Sequence, residues 1–161
     1  MAAAAATNRR FLSLGFFLLI CFAASAAGGL ATYPNIGNWY ASLHKPDWTP
    51  PQDLFGPVWT VLYATMAVSA WLVWDRLHGG AFPALKLFAY QLALNVLWSI
   101  LFFGLQNPDA AAAEVIIFWL VLSATTVAFL RVRRVAGYLM APYWGWVTFA
   151  AVLNISIANN N

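Results

Sequence analysis

The sequence predicts an all-α integral membrane protein, a five-transmembrane-helix bundle with a Pro/Trp-rich lid loop between helices 1 and 2. Three observations carry this. The 161 residues are 63% hydrophobic and only 8% charged, where about a quarter of a soluble domain would be charged. Apolar runs of about 20 residues, the length of a membrane span, recur five times between short polar breaks. Between the first two runs lies a proline-broken, aromatic-loaded connector, Trp39 to Phe55, which is costly to leave in water and suits a cover over one end of a bundle. The chain is read as one domain over residues 1–161.

The expected spans run over about 11–31, 54–75, 83–104, 110–130 and 136–158. An alanine-rich start ends in Arg9-Arg10, and the first run follows from Phe11 to about Ala31. Ala24-Ser25-Ala26 resembles a signal-peptide cleavage site, but the apolar run continues through Gly28, Gly29 and Leu30 to the length of a span. Gly15, Gly28 and Gly29 would let a neighbouring helix approach closely. Pro46, Pro50 and Pro51 remove backbone donors, so Lys45 to Gln52 is not helix interior. Pro57 suits a first helical turn, and Trp59 and Tyr63, four apart, share a face. Asp75-Arg76 and Gly79-Gly80 close the second span. Asn107-Pro108-Asp109 is a helix start, with a capping Asn, Pro in the first turn and an acid at the positive end of the dipole. Arg131, Arg133 and Arg134 end the fourth span, and Pro142 falls early enough in the fifth to kink it only.

Five spans put the termini on opposite sides. Arg9, Arg10, Arg76, Lys86, Arg131, Arg133 and Arg134 fall on one side, and Lys45 alone falls on the other. By the positive-inside rule the N-terminus is cytoplasmic, and the connector and C-terminus lie outside.

No charge is expected in the middle of a span, which argues against a proton pump or ion channel. Cys21 is the only cysteine and His44 and His78 sit apart in connectors, so no metal site is predicted. Phosphate-loop, nucleophile-elbow and zinc-protease motifs are absent. The spans instead carry aromatic and neutral-polar stripes at helical spacing: Trp59, Tyr63, Met66 and Ala70; Gln91, Asn95, Trp98 and Phe102; Trp119, Ser123 and Thr126; Tyr143, Trp146, Ala150 and Leu153 with Asn154. Packing and interfacial anchoring account for Trp39, Trp71, Trp74 and Tyr138. Trp59, Trp98 and Trp146 together with Asn95 fit better a pocket for a large planar apolar ligand.

These residues resemble a known family. Trp39, Leu43, Lys45-Pro46, Trp48 and Pro50-Pro51, then Phe55, Pro57-Val-Trp59-Thr and Leu62-Tyr63, are similar to the signature of the translocator proteins. These are also called tryptophan-rich sensory proteins or peripheral-type benzodiazepine receptors. Asn95, Trp98-Ser and Phe102-Phe103 match its third helix, and Pro142-Tyr143, Trp146, Phe149-Ala150 and Leu153-Asn154 its fifth. The resemblance implies a five-helix bundle, a homodimer through the third helix (which offers Ala84, Ala89 and Ala93), and a pocket for porphyrins such as protoporphyrin IX. That pocket would comprise Tyr40, Pro50, Trp59, Tyr63, Asn95, Trp98, Trp146, Ala150 and Leu153.

The resulting expectation is a porphyrin-binding sensor or scavenger in the lipid bilayer, with no cofactor, metal or nucleic-acid partner. The resemblance adds light- and oxygen-dependent porphyrin degradation, with photochemical roles for Trp59 and Trp146. The alternative is a transporter of porphyrins or of other planar ligands such as sterols. Sterol-handling members carry a Tyr and then a Lys or Arg just after the position of Leu153-Asn154; Ile155-Ser156-Ile157-Ala158-Asn159 has neither, which favours a bacterial cell membrane over a mitochondrial outer membrane.

Overall fold

The computed structural model describes residues 2–76 and 82–161; His78 and the Gly79-Gly80 break lie outside the described residues. Within them the chain is helical, without strands: α1 (Ala2–Ile36), a short α2 (Trp39–Ser42), a 3-10 turn (Gln52–Leu54), α3 (Phe55–Arg76), α4 (Phe82–Ser99), a π-helical extension of α4 (Ile100–Gly104), α5 (Pro108–Val132) and α6 (Arg134–Asn160). The helices overrun most of the expected spans by a few residues, and α1 carries Pro34 in its last turn, where the missing N–H forfeits a single bond.

Arg9–Ile36, Gln52–Arg76, Phe82–Gly104 and Pro108–Val132 are long and apolar enough to cross a membrane. The protein is an integral membrane protein. At 27 residues α6 is as long, but Tyr138, Tyr143, Trp144, Trp146 and Asn154 make it less apolar, and it is not among those four.

The Asn107 side chain accepts from the Ala110 N–H at 3.0 Å and Pro108 stands at the first turn, so α5 starts where the sequence signals it. A single extended residue, Arg133, turns the chain back into α6. α5 and α6 then run antiparallel, tied by Trp119 Nε1 to Thr148 Oγ1 and Trp144 Nε1 to Ser123 Oγ, each at 2.8 Å, and by Asn154 Nδ2 to the Pro108 carbonyl at 2.9 Å. The stripe of Trp119 and Ser123 thus belongs to this seam.

α1 and α3 are also antiparallel. Arg10 pairs with Asp75 at 2.7 Å, Trp71 donates to the Arg10 carbonyl at 3.1 Å, and the Phe17 and Trp74 rings lie 6.3 Å apart. The opposite end of α1 leans on α4: a Cβ on Gly28 would stand 3.1 Å from Ser99 Oγ. Only small residues permit such an approach, and in lipid, close backbone packing replaces hydrophobic burial as the force between helices.

The π-helical turn shapes the same end. One extra residue in the turn, a feature common at functional sites, allows the consecutive Phe102 and Phe103 rings both to be buried. They pack in a second core with Tyr40, Ala111, Leu153 and Ile157, distinct from the main core around Met66, Phe118, Leu122 and Tyr143.

The connector crosses this second core. Tyr40 packs its ring on Phe102 and Phe103, and the Trp48 ring lies 5.7 Å from that of Phe149. Lys45 Nζ donates to the carbonyls of Tyr40, Ala41 and Leu43 at 2.7–3.1 Å and sits 4.9 Å above the Tyr40 ring. The Asn161 side chain makes reciprocal bonds to the His44 backbone N–H and carbonyl.

Candidate ligand cavity

A cavity of about 360 Å³ lies between α1, α3, α4 and α6 at the end crossed by the connector. This volume falls within the range of small-molecule sites. From α3 come Trp59 and Tyr63, whose rings are 5.7 Å apart. From α4 come Asn95 and Trp98, the latter stacked on Phe102 at 5.3 Å and 20° and donating its indole N–H to Asn154 Oδ1 at 2.9 Å. α6 contributes Trp146, Ala150 and Leu153, and α2 contributes Tyr40. Eight of the nine pocket residues expected from the sequence therefore line one space. Pro50 is half-buried in the connector and is not on the cavity wall.

A chain of neutral hydrogen bonds runs from the cavity floor into the bundle. Tyr63 donates to Asn95 Oδ1 at 2.5 Å, Asn95 Nδ2 donates to the Tyr143 hydroxyl at 2.9 Å, and Tyr143 donates to Gln91 Oε1 at 2.9 Å. Each of these groups is buried, and each bond satisfies a donor that would be costly to strand away from water. At the connector end, burial raises the Tyr40 phenol above its ordinary pKa, so it stays neutral.

The Trp146 indole is packed between Phe55 at 5.8 Å and Phe149 at 5.5 Å, and its buried N–H has no partner. Among the described residues, the side chains reaching the cavity are indoles, phenols, phenyl rings, amides, hydroxyls and aliphatics, with no carboxylate, imidazole or thiol. Such a wall offers ring faces for stacking and a few neutral hydrogen-bonding groups; it offers no general acid or base of ordinary strength.

Sequence patterns missed two features. The α1 wall, Gly28, Gly29, Thr32, Tyr33 and Ile36, carries no aromatic stripe; the paired glycines read only as a packing signal. Glu114, two turns into α5, is buried with both carboxylate oxygens unpaired, although it does not line the cavity.

Fold and cavity together define a helical integral membrane protein built around an aromatic-walled cavity. The chain matches the TspO/MBR family over residues 17–159 and belongs to that family. It is 38% identical to the tryptophan-rich protein TspO of Chlorobaculum tepidum over 159 residues, covering 96% of this chain and 99% of the relative. It is 38% identical to the protein of the same name from Archaeoglobus fulgidus over 146 residues (91% and 95%). It is 39% identical to the human translocator protein over 126 residues (76% and 75%).

Proposed function

We propose that the protein is a tetrapyrrole-binding membrane sensor or scavenger that holds a porphyrin such as protoporphyrin IX in this cavity. The observation that carries the reading is the convergence of Trp59, Trp98 and Trp146 from three helices on one neutral, aromatic-walled space. A flat macrocycle gains there from burial at about 25 cal/mol per Å² and from about 0.5–1.5 kcal/mol per well-placed ring contact. The unpaired Trp146 N–H supplies a donor for a ligand acceptor, once the flanking rings of Phe55 and Phe149 give way.

The connector serves as the lid in this reading, since Tyr40, Trp48 and Phe55 reach both α4 and α6. α6 is the fifth span, a role supported by its pairing along the length of a spanning helix. The basic end is cytoplasmic. Two copies pair through α4, whose Ala89 and Ala93 face outward on an apolar groove with α1, whereas Ala84 packs inward.

Indole is the most readily oxidised apolar side chain, so in this reading Trp59 or Trp146 gives one electron to the photoexcited porphyrin, which passes it to molecular oxygen. The superoxide so formed adds to the macrocycle as the indole radical cation recovers its electron, and the net change is porphyrin plus O2. A transport role is the second reading, supported by the name translocator protein on relatives such as the human one. Absorbance of the purified protein with protoporphyrin IX, followed in darkness and under illumination, tests the proposal. A stable bound spectrum supports sensing, light-driven loss supports degradation, and no binding in either condition removes the reading.

A further inference from the structure

The residues that line the cavity differ sharply in exposure according to the helix that supplies them. Those from α2, α4 and α6 are all buried or half-buried. The exposed ones are Gly29 and Tyr33 on α1, Gly56 and Thr60 at the start of α3, and Gln52 in the 3-10 turn that leads into it. The cavity therefore has one open side, and it lies between these two helices.

The packing explains the gap. At their basic ends α1 and α3 are joined by the Arg10–Asp75 pair, the Trp71–Arg10 bond and the Phe17–Trp74 contact. At the cavity end α1 is bound elsewhere: Gly28 sits against Ser99 of α4, and Asn35 Oδ1 accepts from Gln106 Nε2 at 2.9 Å in the loop before α5. The two helices thus part toward that end. Both edges of the gap belong to segments apolar and long enough to cross a membrane, so the opening faces lipid.

We propose that the cavity is loaded sideways from the bilayer, through a portal between α1 and α3, by flat amphiphiles dissolved in the leaflet on the connector side. The portal edges are Gly29 and Tyr33 on one helix and Gly56 and Thr60 on the other. Gln52, Thr60 and Tyr33 give the mouth a polar margin, which suits a ligand with an apolar plane and a hydrophilic edge. Both edges border open space, since a Cβ at Gly29 or Gly56 would meet nothing within 4 Å, so a larger side chain placed there would stand in the gap without disturbing the packing around it. The portal governs how fast such a ligand exchanges, while the inner rings govern how tightly it is held. This rests on the porphyrin-binding reading for the identity of the ligand, but the route itself is a property of the two helices.

Two measurements on the full chain in lipid nanodiscs test it. In the first, Gly29→Leu and Gly56→Leu, singly and together, are mixed with protoporphyrin IX and tryptophan quenching is followed by stopped flow. Both association and dissociation should slow by about tenfold or more in the double variant, because exchange rates are set by the route and are separable from affinity. Gly145→Leu, at an exposed and equally open position outside the cavity, should leave the rates as they are. Unchanged rates in the double variant, or a weaker Kd with unchanged association, overturns the portal while leaving porphyrin binding intact.

The second measurement needs no ligand. A nitroxide attached at Gly29→Cys or Gly56→Cys should relax more with oxygen than with a water-soluble nickel chelate; the native Cys21 is buried. Greater accessibility to the chelate at both sites overturns the proposal even if the wild-type protein binds no porphyrin.

Discussion

Asn95 on α4 donates its amide N–H to the Tyr143 hydroxyl on α6 at 2.9 Å, and both residues are buried. The same amide accepts from Tyr63, so one side chain joins three helices. Asn95→Leu should strand the Tyr63 proton and one acceptor site of Tyr143, and destabilise the protein by about 1–3 kcal/mol. Thermal unfolding in detergent reads this out. Tyr63→Phe should cost less, since it removes the donor instead of orphaning it. Equal losses in the two variants would mean that the chain of bonds is not what holds the floor.

Trp59 and Trp146 separate binding from photochemistry. Trp59→Phe and Trp146→Phe should each keep most of the porphyrin affinity, because a ring remains, yet abolish light-driven loss of the pigment. Trp59→Ala should also weaken binding, by about 1–3 kcal/mol for a ring fully buried against the ligand. Affinity and photochemistry both unchanged in the Trp59→Ala, Trp146→Ala double variant would reduce the two indoles to packing.

Gly28 is next to Gly29 but does a different job. A side chain on Gly28 runs into Ser99, whereas one on Gly29 meets open space. Gly28→Leu should therefore force α1 from α4 and cost about 1–3 kcal/mol through overpacking, while Gly29→Leu leaves the unfolding temperature nearly unaltered. Thermal scans of the two variants in the same detergent decide it.

Replacing Ala89 and Ala93 together with Leu should shift the solubilised protein from dimer toward monomer, since bulk at a small-residue helix face keeps backbones apart. Light scattering with correction for detergent gives the mass. An unaltered dimer would move the interface away from that part of α4.

Reporter fusions test orientation. A reporter active only in the cytoplasm should give signal at the N-terminus and none at the C-terminus, as expected from seven basic residues on one side of the bundle. The reverse pattern would overturn the assignment.

What the sequence made legible was whatever leaves a periodic or conformational mark. Trp59 and Tyr63, or Trp146, Ala150 and Leu153, recur at helical spacing and converge on one space; Asn107-Pro108 announces a helix start by its chemistry. The α1 wall was not legible, because Gly28, Gly29 and Thr32 shape the cavity by being small, and small residues signal close packing whichever neighbour they meet. Nor was the π-helical turn, since a one-residue surplus over 100–104 alters no composition. Glu114 escaped notice because it stands two turns into α5, where a charge reads as belonging to the membrane surface; its burial depends on neighbours from other helices.

The bonds that hold the connector bear on how it can change. Lys45 and Asn161 grip carbonyls and an amide of the main chain, and those groups are identical whatever side chains they carry. His44 and Asp47 can thus be exchanged without loosening the course set by Lys45 and the prolines, whereas Thr49, whose hydroxyl donates to the Pro46 carbonyl at 2.7 Å, belongs to that frame. Connectors transplanted from homologues, with Lys45 and the proline positions retained, should dock in the same path. This makes the stretch a cassette in which ligand preference can be re-engineered apart from the helices beneath it.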